Sequence, residues 1–135
     1  MVFGAFDGFH PGHLHFFKEA KKYGDYLIVS VGTDKNVHKI KGKKPLFCQD
    51  KRVELVGALK IVDKCILGAE TEFYKEIKRI APDVICLGYD QWGTTRGVKD
   101  GLAKVGLTNV EVVRLKPYKK KIAKSTIFKK RSVDL

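Results

Sequence analysis

Two histidines three positions apart, His10 and His13, stand where an apolar run meets a helical pattern. The stretch reads Gly4-Ala5-Phe6-Asp7-Gly8-Phe9-His10-Pro11-Gly12-His13. A helix starting at about Gly12 leaves its first backbone N–H groups unpaired, and such a terminus attracts anions. The spacing brings both imidazoles to one phosphate. Gly12 lets the backbone approach it without a Cβ in the way, and Pro11 fixes the entry to the helix. The chemistry suggested is phosphate binding with stabilisation of developing negative charge. Two other readings stay open on these residues alone. One is a zinc site that recruits His15 and Asp7, although no cysteine joins them. The other is a structural pair with no ligand.

The elements around this stretch alternate. Short apolar runs at 2–5, 26–31, 65–67, 84–87 and 110–113 read as strands, and their near-continuous hydrophobicity suits strands buried on both faces of a parallel sheet. Helical patterns lie between them, at 12–23, 50–59, 70–80 and 97–105, with a short last helix from Ser125 to about Arg131. Ser125 is its expected N-cap. Residues 39–45 read as a polar, flexible loop. This order predicts a single-domain α/β fold over 1–135: a Rossmann-like, doubly wound, five-stranded parallel sheet with helices on both faces. Ligands of such sheets bind beyond the C-terminal strand ends, where the strand order reverses. The residues after the first, second and fourth strands are therefore the ones to watch.

Composition narrows the setting. The odd count of three cysteines, Cys48, Cys65 and Cys86, matches no zinc or redox spacing. Cys65 and Cys86 are expected as buried thiols, which makes a reducing cytoplasm the default. No run approaches a membrane span or the core of a signal peptide. Of the +12 net charge, most lies at the C-terminal end: residues 114 to 131 hold nine Lys and Arg and no acid. Such a run attracts polyanions or serves as a solubilising tail.

The His-x-Gly-His directly after a strand and Gly-x-Phe-Asp resembles the signature of the HxGH nucleotidyltransferases, in their cytidylyltransferase-like branch. That branch includes glycerol-3-phosphate cytidylyltransferase and the archaeal-type FAD synthases. The likeness covers nearly the whole chain. Asp25 to Val29 followed by Asp34 resembles the second strand and its end. Lys43-Lys44-Pro45 and Arg52 resemble the basic loop and the helix after it. Leu87-Gly88-Tyr89-Asp90-Gln91 is similar to the motif after the fourth strand in archaeal FAD synthases. Lys124-Ser125-Thr126 falls where cytidylyltransferases carry Arg-Thr-Glu-Gly-Ile-Ser-Thr, with Lys120 in place of the arginine and Ile122 and Ala123 in place of Glu and Gly. Lysine keeps the charge there but loses the bidentate fork.

The resemblance implies transfer of a nucleoside monophosphate from a nucleoside triphosphate, ATP or CTP, to a small phosphorylated acceptor, with release of pyrophosphate. His10, His13, Lys44 and Lys120 would be catalytic. Phe6, Asp7, Gly12, Asp34, Gly88, Asp90, Gln91, Ser125 and Thr126 would bind the nucleotide, and the basic segment from about 114 to 135 would close its site. Asp7 would orient Mg²⁺ through water, or else cap the turn. A homodimer is implied by the resemblance alone. No general base stands out, which favours a phosphate acceptor: a phosphate monoester is ionised at neutral pH, whereas an alcohol needs a positioned base. Phe9, Phe47, Trp92 and Tyr118 would supply an aromatic wall beside the phosphates. They tip the expectation to an FMN adenylyltransferase over a glycerol-3-phosphate cytidylyltransferase. The rival of another class is a basic nucleic-acid-binding module on the same fold, favoured by the run 114 to 131 and opposed by the intact His-x-Gly-His.

Overall fold

The computed structural model describes residues 1–91 and 93–117. The elements in chain order are β1 (Val2–Gly4), α1 (Pro11–Lys21), β2 (Ile28–Val31), α2 (Asp34–Lys41), α3 (Gln49–Gly57), β3 (Lys64–Leu67), α4 (Phe73–Ile80), β4 (Val84–Leu87), α5 (Thr95–Lys104) and β5 (Glu111–Arg114). All strand pairs are parallel: β1 with β2, β2 with β3, and β4 with β5.

The two ladders are joined through Met1. Its N-terminal ammonium donates to Val84 O at 2.8 Å, and its carbonyl accepts from Cys86 N at 3.1 Å. The strands therefore run β3-β2-β1-β4-β5 across one surface, and the order reverses between β1 and β4. Alternate strand residues face opposite layers. Val2, Val29, Val31 and Cys86 pack with Phe17 and Ala20 of α1 and Val56 of α3. Met1, Phe3, Ile85, Leu87 and Val112 pack with Ile77 of α4 and Val98 and Leu102 of α5. This is the doubly wound sheet expected from the strand pattern.

One element differs from expectation. Residues 34–41, of which the sequence pattern assigns 39–41 to a loop, form helix α2. Thr33 caps it, its Oγ1 accepting from Asn36 N at 3.1 Å, and Gly42 ends it in the left-handed conformation at φ 76°. Only Val37 of this helix is buried, so it carries little hydrophobic periodicity. Cys65 is half-buried rather than fully buried, because β3 is an edge strand; Cys86 is buried as expected and Cys48 is exposed. The expected helix from Ser125 lies outside the described residues.

Candidate active site

The turn after β1 is built on one unusual residue. Phe6 takes a left-handed φ of 50° and is only 7% exposed. That conformation is uncommon for a bulky side chain and carries strain. It folds the ring back over Gly4, where an added Cβ would lie 2.6 Å from Phe6 Cζ. The ring then sits edge-on to His13, with centroids 5.3 Å apart, and to Phe17, at 5.1 Å. The glycine and the phenylalanine of Gly-x-Phe-Asp thus act together: one makes room, the other becomes the floor under His13.

The two histidines cap α1 for each other. His10 is the N-cap, and its Nδ1 accepts from Gly12 N at 3.1 Å. His13 Nδ1 accepts from His10 N at 3.3 Å. This is a capping box made of imidazoles rather than of Ser and Glu. The rings stack at 3.8 Å, 23° from parallel. Because each Nδ1 accepts a backbone N–H, the proton of each neutral ring is assigned to Nε2, on the opposite ring edge. Burial lowers the pKa of His10. Burial pushes His13 down to about 3, with His10 and Lys41 adding to the effect. Burial thus favours the neutral form of both rings, with the proton of each on Nε2, the tautomer that can donate to a phosphate oxygen.

The backbone at this terminus is not spare. Pro11 has no N–H, Gly12 N donates to His10 Nδ1, and His13 N and Leu14 N both donate to His10 O, at 2.9 and 3.3 Å. The expectation of unpaired N–H groups at Gly12 is corrected: the Gly12 amide is taken by His10 Nδ1. The helix dipole still favours an anion here.

A second layer fastens the loops. Asp7 accepts from Leu46 N at 2.6 Å and Phe47 N at 3.0 Å, holding the 42–48 loop that carries Lys44. Arg52 is fully buried. Its guanidinium donates to Ala5 O, Gly32 O, Phe47 O and, at 2.7 Å, to Asp34 Oδ1. One planar cation thereby ties the loops after β1 and β2 to the start of α3, and it holds the Asp34 carboxyl below its usual range. Arg52 was legible only as part of a basic loop and helix. Lys41, not foreseen, brings positive charge to His13 from the last turn of α2.

After β4, Gly88 N donates to Gln91 Oε1 at 2.8 Å, and Gln91 Nε2 donates to Phe3 O at 2.7 Å. Arg114, at the end of β5, donates to the carbonyls of Gly88, Gln91 and Gly93. It was foreseen only as the first residue of the basic run. A lone arginine ending an apolar strand was the available signal. Asp90 is exposed in the turn between them. Lys120, Ser125 and Thr126, with Trp92 and Tyr118, lie outside the described residues.

Among the described residues no group of three His, Cys, Asp or Glu converges. Asp7 keeps spare lone pairs beyond the two it uses, and a magnesium ion held by phosphate oxygens needs only one or two carboxylates. The residues fit a cation that arrives with a triphosphate.

A family model described as cytidylyltransferase-like matches residues 1–131. The chain is 39% identical to the FAD synthase of Picrophilus torridus over 135 residues, covering 100% of this chain and 96% of that one. It is 47% identical to the FAD synthase of Archaeoglobus profundus, covering 98% of this chain and 84% of that one. The crystal structure of the lipopolysaccharide core biosynthesis protein from Thermoplasma volcanium GSS1 superposes with a TM-score of 0.81 at 39% identity, over 87% of this chain and 96% of that one.

Proposed function

The chain belongs to the cytidylyltransferase-like family of nucleotidyltransferases, and from that premise we propose that it is an FMN adenylyltransferase. A phosphate oxygen of FMN attacks the α-phosphorus of ATP. The bond between that phosphorus and the β-bridging oxygen breaks, and FAD and pyrophosphate form. The FMN phosphate is already ionised, so no proton need leave before attack. His10 and His13 donate through Nε2–H to oxygens of the reacting phosphates. These are fixed donors of the kind that stabilise charge developing in the transition state. Lys44 and Lys41 offset the charge of the leaving pyrophosphate. We place Lys120, Ser125 and Thr126 on the same triphosphate, and Mg²⁺ as part of the nucleotide substrate beside Asp7.

The observation that carries this reading is the full-length likeness to proteins named FAD synthase. Two exposed aromatics support the choice of acceptor. Phe9 is 38% exposed and lies 5.4 Å from the His13 ring; Phe47 is 43% exposed on the loop held by Asp7. An isoalloxazine needs such an apolar wall, and glycerol phosphate does not. No helix among the described residues is long and apolar enough to cross a membrane. The test is to incubate the protein with Mg²⁺, ATP and FMN and to look for FAD by chromatography, beside a parallel reaction with CTP and glycerol 3-phosphate. FAD in the first reaction is the expected result. CDP-glycerol in the second without FAD in the first would move the protein to the cytidylyltransferases and leave the reaction class standing.

A further inference from the structure

The seam between β1 and β4 is closed by direct backbone bonds at one end and bridged by a side-chain amide at the other. Met1 N donates to Val84 O and Cys86 N to Met1 O, which sets Met1 opposite Ile85 in a parallel register. Two residues on, the same register puts Phe3 opposite Leu87, and the next rung would be Gly88 N to Phe3 O. Instead Gly88 N donates to Gln91 Oε1 and Phe3 O accepts from Gln91 Nε2. A side-chain amide occupies the place of one ladder bond. A direct rung spans about 2.9 Å. The path through the amide adds its own N···O width of roughly 2.2 Å and a second hydrogen bond. The amide bridge falls where the strand order reverses, the position at which doubly wound sheets take their ligand. One further contact fixes the amide there. Arg114 grips the carbonyls of Gly88 and Gln91, at 2.9 and 2.8 Å.

We infer that Gln91 is a positioning residue: its amide is a spacer that holds β1 and β4 apart at their C-terminal ends and so sets the width of the nucleotide crevice. It acts through the strand ends and touches no reacting atom. The link to nucleotide rests on the proposed reaction, whereas the spacing itself does not.

The experiment uses the full chain with Gln91→Ala and Gln91→Glu. Alanine removes the spacer, so Gly88 N can reach Phe3 O directly. Glutamate keeps the acceptor for Gly88 N but loses the donor to Phe3 O. Crystal structures of the wild type and the alanine variant measure the separation of Gly88 N and Phe3 O, which should close to about 3 Å without the amide. Titration calorimetry with ATP should show at least a tenfold weaker Kd in both variants. Melting temperatures should stay within a few degrees of the wild type. A separation that does not close overturns the spacer, whatever the protein catalyses. Closure with unchanged ATP affinity overturns its link to the crevice, and so does a large loss of melting temperature with unchanged Kd, the mark of a merely structural residue. A wild type that binds no nucleotide would instead sink the proposed reaction, and the structural comparison would still judge the spacer.

Discussion

Replacing Gly4 by alanine should damage a site that Gly4 never touches directly. The new Cβ would stand 2.6, 2.8 and 3.0 Å from three atoms of the Phe6 ring. Carbon atoms rest at about 3.5–4.0 Å, so the ring must retreat by roughly 1 Å. It has little room. Phe6 is buried, its backbone is already left-handed, and its ring is lodged between Phe17 and His13. Overpacking of this kind costs about 1–3 kcal/mol. For a chain of this size that is a fall of about 3–10 °C in Tm. The displaced ring also pushes on His13, and a misplacement of about 1 Å at a reacting group costs on the order of 10²-fold in rate. The assay is pyrophosphate release at saturating substrates beside a thermal melt. Gly4→Ala combined with Phe6→Leu withdraws the crowded ring atoms, so the double variant should recover part of both losses. Their effects should therefore fail to add. Wild-type Tm and kcat in Gly4→Ala would refute the reasoning, and so would strictly additive losses.

Three further outcomes follow from the same geometry. His13 stays neutral in the fold down to about pH 3, whereas an unfolded histidine takes a proton below about 6.5, so stability is full above that pH and falls as the medium turns acid. Between pH 7 and 5, above the range where the carboxylates titrate, His13 should remove about 2 kcal/mol from the unfolding free energy in urea; a flat profile, or one unchanged in His13→Asn, contradicts this. Arg52→Lys cannot serve three carbonyls and Asp34 with one ammonium, and should lower stability by about 3 kcal/mol in the same assay; a loss under about 1 kcal/mol would show that the loops do not depend on the fork. Asp7→Asn keeps one acceptor for two backbone N–H groups and should raise KM for the triphosphate about tenfold, since a charge-assisted hydrogen bond is worth about 1.5 kcal/mol; an unchanged KM would detach the 42–48 loop from nucleotide binding.

The legible parts of this molecule are those written in local pattern. Apolar runs gave the strands, and a strand followed by Gly-x-Phe-Asp and His-x-Gly-His located the site. Helix α2 escaped because only Val37 is buried, although Thr33 and Gly42 carried its start and stop in plain view. What the histidines do with their Nδ1 atoms was hidden: His-Pro-Gly-His is not a familiar capping box, and the first-turn amides looked available. The roles of Arg52, Gln91 and Arg114 were hidden for another reason. Each bonds to backbone carbonyls many residues away, Gln91 to Phe3 across 88 positions. Carbonyls are chemically alike along a chain, so only strand order and register decide which one a side chain meets. The pattern thus marks Gln91 as a residue of the ligand edge, while the strand register sets its bonds to Phe3 and Gly88.

Transfer at the α-phosphorus on a pair of histidines can be followed by where each phosphorus atom goes. The most direct measurement is a single-turnover reaction of the full chain with FMN and ATP radiolabelled at either the α- or the γ-phosphorus, run for the wild type and for His13→Ala. The α-label should appear in FAD and the γ-label in pyrophosphate, and the variant should be slower by on the order of 10²-fold or more, as for loss of one fixed donor to a developing oxyanion. A γ-label on the flavin, or a variant as fast as the wild type, would contradict the account.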